Sequence, residues 1–175
     1  MNYNQIQFRH SLIYGAIFGI SIVILLLILY IFGMTNNGNI YSLAPLIYII
    51  GAHISVKHHR DRLNDGYITF GKAFGTALLT CIFMGIVWAV YGYFLYKYLL
   101  PNLLTEQIAL IQEMYLKFGM SDQLVEKLSQ AITPFSVAFG YVTNSVIFGS
   151  LLSLIIAALL KRIQNPMISS TDNEL

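Results

Sequence analysis

Residues Ser11 to Met34 read SLIYGAIFGISIVILLLILYIFGM and contain no charged side chain. A helix needs roughly 20 mostly apolar residues to cross a ~30 Å hydrocarbon core at about 1.5 Å rise per residue. This run is long enough. It is also too long for the apolar region of a secretory signal, and no small-residue cleavage site follows it. The stretch therefore predicts an uncleaved membrane helix.

Composition extends that reading to the whole chain. Hydrophobic residues make up 57% of the 175 residues and charged residues only 10%, with a mean hydropathy of +0.66. A soluble domain carries about 25% charged residues, so this chain could not clothe a water-facing surface. The length suits a single membrane domain, residues 1–175. A net charge of +2 is too slight a balance for nucleic-acid binding. The single cysteine, Cys81, excludes an internal disulfide and a cysteine-based zinc site, and reads as a small buried hydrophobe.

Three further apolar segments follow, at about 40–56, 67–100 and 135–160. The second is short and holds Pro45, Gly51 and His53; Pro45 falls in its first turns, where a missing N–H costs least. The third is longer than the hydrocarbon core requires, so it should tilt or project into water. The expected fold is all-α: an integral membrane four-helix bundle with a helical hairpin outside the membrane between helices three and four. A short uncharged turn, TNNGN at Thr35 to Asn39, joins helices one and two, and a polar tail occupies 163–175.

The hairpin is expected within the external segment 101–134. There Ile108, Ile111, Tyr115 and Phe118 recur at helical spacing, and GMSD at Gly119 to Asp122 breaks the pattern with Ser121 placed as an N-cap. Leu124, Leu128 and Ile132 continue on a second amphipathic helix, suited to the membrane surface or to a second subunit. Lys and Arg set the orientation. With both termini cytoplasmic, Arg9, Lys57, Arg60, Arg62, Lys72, Lys161 and Arg162 lie inside, against Lys97, Lys117 and Lys127 outside. The aromatic residues Trp88, Tyr91, Tyr93, Phe94, Tyr96 and Tyr98 then crowd the outer half of helix three, as an interfacial belt would.

Gly66 to Ala73, GYITFGKA, comes within one residue of a phosphate-binding loop. Ala73 replaces the hydroxyl residue that would bind Mg²⁺, the intervening YITF is bulky, and a charged loop rather than a buried strand precedes it. No nucleotide site is expected. Gly71 and Gly75 instead form a small-residue step that lets a neighbouring helix approach. Ser11, Gly15 and Gly19 repeat the device in helix one, and Ser145, Gly149 and Ser153 in helix four. These stripes predict a tightly packed bundle, an oligomer, or both.

Polar groups at depth are the remaining candidates. His53 stands inside helix two, where it could serve a proton or substrate path or reach headgroups, and Asn144, with Thr143 and Ser145, inside helix four, where it could hydrogen-bond to a neighbouring helix or line a pore. His53, His58, His59, Asp61 and Asp65 lack the fixed spacing of a metal site, and Lys57, Arg60 and Arg62 beside them repel a cation. The loop KHHRDRLNDG, Lys57 to Gly66, reads as a basic stretch facing anionic lipid. No Asp or Glu falls within a predicted span, and no nucleophile–base set or HExxH pattern occurs. No enzyme activity, cofactor or metal is expected.

Three stretches in order carry a resemblance: DGYITFGKAF opening helix three, FGMSDQLVEKL and ITP in the external segment, and FGSLLSLIIAALLKR ending helix four. Together they resemble the bacterial membrane family known as domain of unknown function 4199, over roughly Ser11 to Arg162. The resemblance implies an integral protein of the bacterial inner membrane and brings no catalytic residues. The expected role is that of a non-enzymatic structural or interaction protein, acting through helix packing and its external hairpin. Its partners would be the lipid bilayer, further copies of itself or other membrane proteins. A small oligomeric transporter or channel is the alternative.

Overall fold

The computed structural model describes residues 3–32 and 43–162. The tail at 163–175, the turn at Thr35 to Asn39 and the edges of the first two predicted spans lie outside them. The described chain is helical: α1 (Tyr3–Ile31), α2 (Leu43–Leu63), α3 (Phe70–Phe94), a π-helical turn (Leu95–Leu99), α4 (Pro101–Lys117), α5 (Asp122–Gln130) and α6 (Pro134–Leu160). Three stretches are long and apolar enough to cross a membrane: Asn4–Ile31, Phe70–Leu99 and Pro134–Leu160. The second predicted span, in α2, does not meet that measure, because seven residues of the charged run are part of the same helix.

That run is the clearest departure from the sequence reading. Lys57 to Leu63 continues α2 instead of forming a loop. Gly and Pro are absent from it, and Lys and Arg are good helix formers. The chain turns only at Asp65 and Gly66, both at positive φ, and Gly66 N–H reaches back to the Arg60 carbonyl at 2.9 Å. Tyr67 N–H bonds to the Asn64 carbonyl, and Ile68 then exchanges two backbone hydrogen bonds with Arg162, each 2.9 Å. This bridge delays α3 to Phe70 and ties its start to the end of α6.

The ends of α4 and α6 follow from proline chemistry. Pro101 and Pro134 each open a helix, where the lost N–H has no partner to lose. Thr133 and Ser136 complete a capping box on α6, with Thr133 Oγ1 accepting from Ser136 N–H at 3.1 Å. Ser121 is the N-cap of α5 as its sequence predicts, although its side chain makes no capping bond.

α3 packs most extensively against α6 and α1, and α2 leans on all three. The contacts set the directions. Gln7 on α1 meets Lys72 and Thr76 near the start of α3, whereas Ser55 and His59 near the end of α2 lie beside Thr80 and His10. The start of α1, the end of α2, the start of α3 and the end of α6 therefore share one end of the bundle. The fully buried core includes Ile22, Ala52, Val56, Ala77, Cys81, Met84 and Ala157.

Candidate functional site

Small residues stand at several close approaches between the helices. A Cβ on Gly15 would run into Phe83, and one on Gly19 would stand 2.8 Å from Val87 Cβ. The spacing of four on α1 thus matches a spacing of four on α3. On the other side of α3, Gly149 accepts Cys81, 2.7 Å from where its own Cβ would be, and Ser145 lies directly over Gly85. Ser153 is fully buried on the same stripe. Gly75 meets only the end of the Gln7 side chain at 2.9 Å, and Gly71 is exposed with nothing within 4 Å. Among the described residues nothing packs on Gly71, which lies in the first turn of α3 before α1 closes on it.

Of the polar residues singled out at depth, Ser145 is buried. His53 and Asn144 are both exposed on the outer faces of α2 and α6. Most of the buried polar residues form a seam through α1, α2 and α3. His10 Nε2 donates to the Ser55 carbonyl at 2.9 Å, so this nitrogen carries the proton. Thr80 Oγ1 donates to the Thr76 carbonyl at 2.8 Å, leaving Ser55 Oγ to donate to Thr80 Oγ1 at 2.9 Å. Ser11 Oγ donates to the same Thr76 carbonyl at 3.3 Å. Thr76 Oγ1 donates to the Lys72 carbonyl at 2.8 Å and accepts from Gln7 Nε2 at 3.2 Å. Each hydroxyl thereby finds partners inside an apolar bundle, where an unmade bond costs most.

A cluster of rings closes this end. His10 stacks on His58 with ring centroids 5.4 Å apart and meets His59 edge-on at 5.1 Å; Tyr14 lies 4.6 Å from His10 and 5.4 Å from His58. His59 is wholly buried. Burial first, and the nearby His10, Lys72 and His58 next, hold its imidazole well below the ordinary 6.5, to about 4. Arg60 pairs with Asp61 at 2.6 Å and reaches the Leu160 carbonyl at 3.4 Å, at the C-terminus of α6. Among the described residues, no three His, Cys, Asp or Glu side chains come together as metal ligands.

A second polar link joins α2 to α6. Ser145 Oγ donates to the Tyr141 carbonyl at 2.8 Å, so the Tyr48 hydroxyl donates to Ser145 Oγ at 2.7 Å. Beyond it Trp88 stacks on Tyr141, centroids 4.9 Å apart and planes 12° apart. The predicted aromatic belt therefore divides: Trp88 and Tyr96 turn inward, while Phe94 and Tyr98 face out.

The missed residues had a signal in α2. Ala44, Tyr48, Ala52, Ser55, Val56 and His59 recur every three or four positions and share one buried face; His53 falls between them. Weighing each polar residue by that period would have chosen Ser55 and His59 over His53.

An all-helical chain with three helices able to span a bilayer, packed through small residues and a buried hydroxyl seam, defines a membrane-type helical protein. The chain belongs to the DUF4199 family, described as protein of unknown function, whose pattern matches residues 13–162. No curated protein and no solved structure matches it.

Proposed function

We propose that the chain is a non-enzymatic protein of the bacterial inner membrane whose α4–α5 hairpin is its contact surface for partners. The observation that carries this reading is the hairpin's outward apolar face. Leu110 is 65% exposed and Phe118 77%, with Met114, Leu124 and Leu128 also uncovered. Only Leu104, Val125 and Ser129 in α4 and α5 are buried. Exposed apolar side chains on this scale mark a surface that another molecule covers.

In this reading α2 crosses the membrane with α1, α3 and α6, and both termini are cytoplasmic. Its outer face presents Leu46, Ile49, Ile50 and Ile54, suited to lipid, while its charged last turns project into the cytoplasm. The contacts that place Lys72, Arg60 and Arg162 at one end of the bundle support that orientation. Partners are further copies of the chain or other membrane proteins, with the bilayer as solvent.

The test is a photo-crosslinking residue at position 110 or 118 in the full chain, in native membranes. Specific adducts at both positions, and a change in complex size on native gels after deletion of the hairpin, are expected. Adducts to lipid alone with unchanged complexes would sink the reading. The alternative, a small oligomeric transporter or channel, draws on the buried seam of His10, Ser55, Thr80 and Thr76. Those groups already bond one another, which favours packing. Solute movement in liposomes that Ser55→Ala abolishes would reverse that preference.

A further inference from the structure

The end of the bundle opposite the histidines holds a partly open cavity of about 220 Å³. Leu26 from α1, Trp88 from α3, Leu95 and Tyr96 from the π turn, Leu103 from α4 and Tyr141 from α6 form its main walls. The backbone explains why the space stays open. In the π turn, Leu100 N–H bonds to the Leu95 carbonyl at 2.7 Å, five residues back, so the helix carries an extra residue there. That insertion turns Tyr96 inward, to 4% exposure, and leaves Lys97 and Tyr98 outside. Such bulges are often placed where a helix must shape a site.

Gly92 adds to the effect. The Tyr141 ring lies so close to it that a Cβ would stand 2.6 Å from Tyr141 Cε2. The ring is thus fixed between the α3 backbone and Trp88. Leu100, at φ −139° and ψ 63°, then sends α4 off in a new direction, and Leu103 closes the opposite wall.

The chemistry of the wall selects the ligand. Among the described residues, no Lys, Arg, His, Asp or Glu lines the cavity. Two of its phenol groups are engaged with each other and with α4: the Tyr96 hydroxyl donates to Gln107 Oε1 at 3.2 Å and lies 3.3 Å from the Tyr141 hydroxyl. Water would find few partners. Enclosed apolar cavities of about 150 Å³ take up hydrocarbon, and this partly open one is larger. It is also continuous with helices able to cross a bilayer, where the abundant apolar solute is lipid chain.

We propose that this cavity binds the hydrocarbon chain of a membrane lipid against the stacked Trp88–Tyr141 pair. The site is separate from the exposed face of the hairpin and does not depend on what that face binds. Occupancy would brace α4 against α1 and α6, setting the hairpin's angle to the bundle.

Trp88 is the only tryptophan in the chain, so its emission reports on the cavity directly. The full-length protein in detergent is titrated with phosphatidylglycerol brominated on its acyl chains. Bromine quenches on contact, so a bound chain gives quenching that saturates at about one lipid per protein. Leu103→Phe and Leu26→Phe, which fill the space from opposite walls, should each lower the saturable part severalfold. Ile147→Phe, on the exposed face of α6, should leave it unchanged. Native mass spectrometry should show one retained lipid in the unaltered chain. Quenching that only rises in proportion to brominated lipid overturns the proposal, as does a saturable part that both folded cavity-filling variants retain. If neither variant folds, the titration of the unaltered chain decides alone.

Discussion

The two ends of the bundle are held by different physics. At the histidine end, hydrogen bonds run from Gln7 through Thr76, Thr80 and Ser55 to His10, and a backbone bridge joins Ile68 to Arg162. At the other end, stacked rings and leucines surround an open volume. Directional bonds fix a register, since each donor needs its acceptor in one place. Apolar contact is non-directional and tolerates a void or a guest. One end is therefore built to hold helices in place, and the other has room to take something in.

Between them lies the small-residue seam of α3 and α6, and disturbing it should unsettle both ends at once. Gly149→Leu drives a side chain into Cys81, 2.7 Å from the Cβ position. Overpacking of this kind costs about 1–3 kcal/mol. That corresponds to a fall of roughly 2–4 °C per kcal/mol in melting temperature for a chain of this size. Thermal unfolding in detergent, followed by circular dichroism, gives the measurement. An unchanged midpoint would mean that α3 and α6 are not packed as described.

The second effect belongs to the histidine end alone. An unfolded chain protonates His59 near 6.5, whereas the folded chain resists until about 4. The unfolded state therefore binds more protons across that window, and stability falls as pH drops through it. Above 6.5 the contribution is complete; toward 4 it is lost. Melting temperature should decline between neutral pH and about 5, and His59→Asn should flatten the decline. Equal slopes in both proteins would remove His59 as the cause. Leu103→Phe, at the other end, should leave the slope as it is.

Much of this arrangement was legible in the sequence, because long apolar runs and small residues at a spacing of four are properties of one helix. The charge-free run at Ser11 to Met34, the stripe Ser145–Gly149–Ser153 and the break at Ser121 all depend on near neighbours. What escaped depends on a second helix. His10 reads as the edge of a span until Ser55 supplies its acceptor from 45 residues away. Tyr96 reads as one of several belt aromatics until the π turn rotates it inward. Helix α2 misled for a related reason. Its charged last turns look like a loop when judged by polarity, yet their helical propensity and the late breaker at Asp65 and Gly66 carry the helix through.

A smaller loss tests whether the seam specifies register beyond filling space. Ser55→Ala removes the bond to Thr80 Oγ1 and leaves Thr80 donating to Thr76 and His10 bonded to the residue 55 backbone. Hydrogen bonds between membrane helices average about 0.6 kcal/mol, so the midpoint should fall by only a degree or two. Tyr96→Phe breaks the corresponding contacts at the other end, to Gln107 and Tyr141. If the two ends differ as their physics suggests, Ser55→Ala should disturb the packing of α1 on α2, read as accelerated hydrogen exchange in both helices. Tyr96→Phe should confine its effect to α4 and the first turns of α6. Equal spread from both variants would erase the distinction.

The least effect is expected at Gly71, which the sequence puts on a packing stripe and which has open space beside it among the described residues. Gly71 has open space around its Cβ position among the described residues, and it sits in the first turn of α3, so a leucine there starts out into free space. Leucine is also the better helix former, by several tenths of a kcal/mol. Gly71→Leu should thus leave the melting temperature of the isolated chain unchanged or slightly raised, in contrast to Gly149→Leu. The pair separates two uses of one pattern. If Gly71→Leu is harmless to the monomer yet shifts complex size on native gels, the exposed glycine is a contact between chains and its stripe serves assembly. If it changes neither, the spacing of Gly71 and Gly75 carries no packing role, and only the stripes that face α3 from α1 and α6 hold the fold.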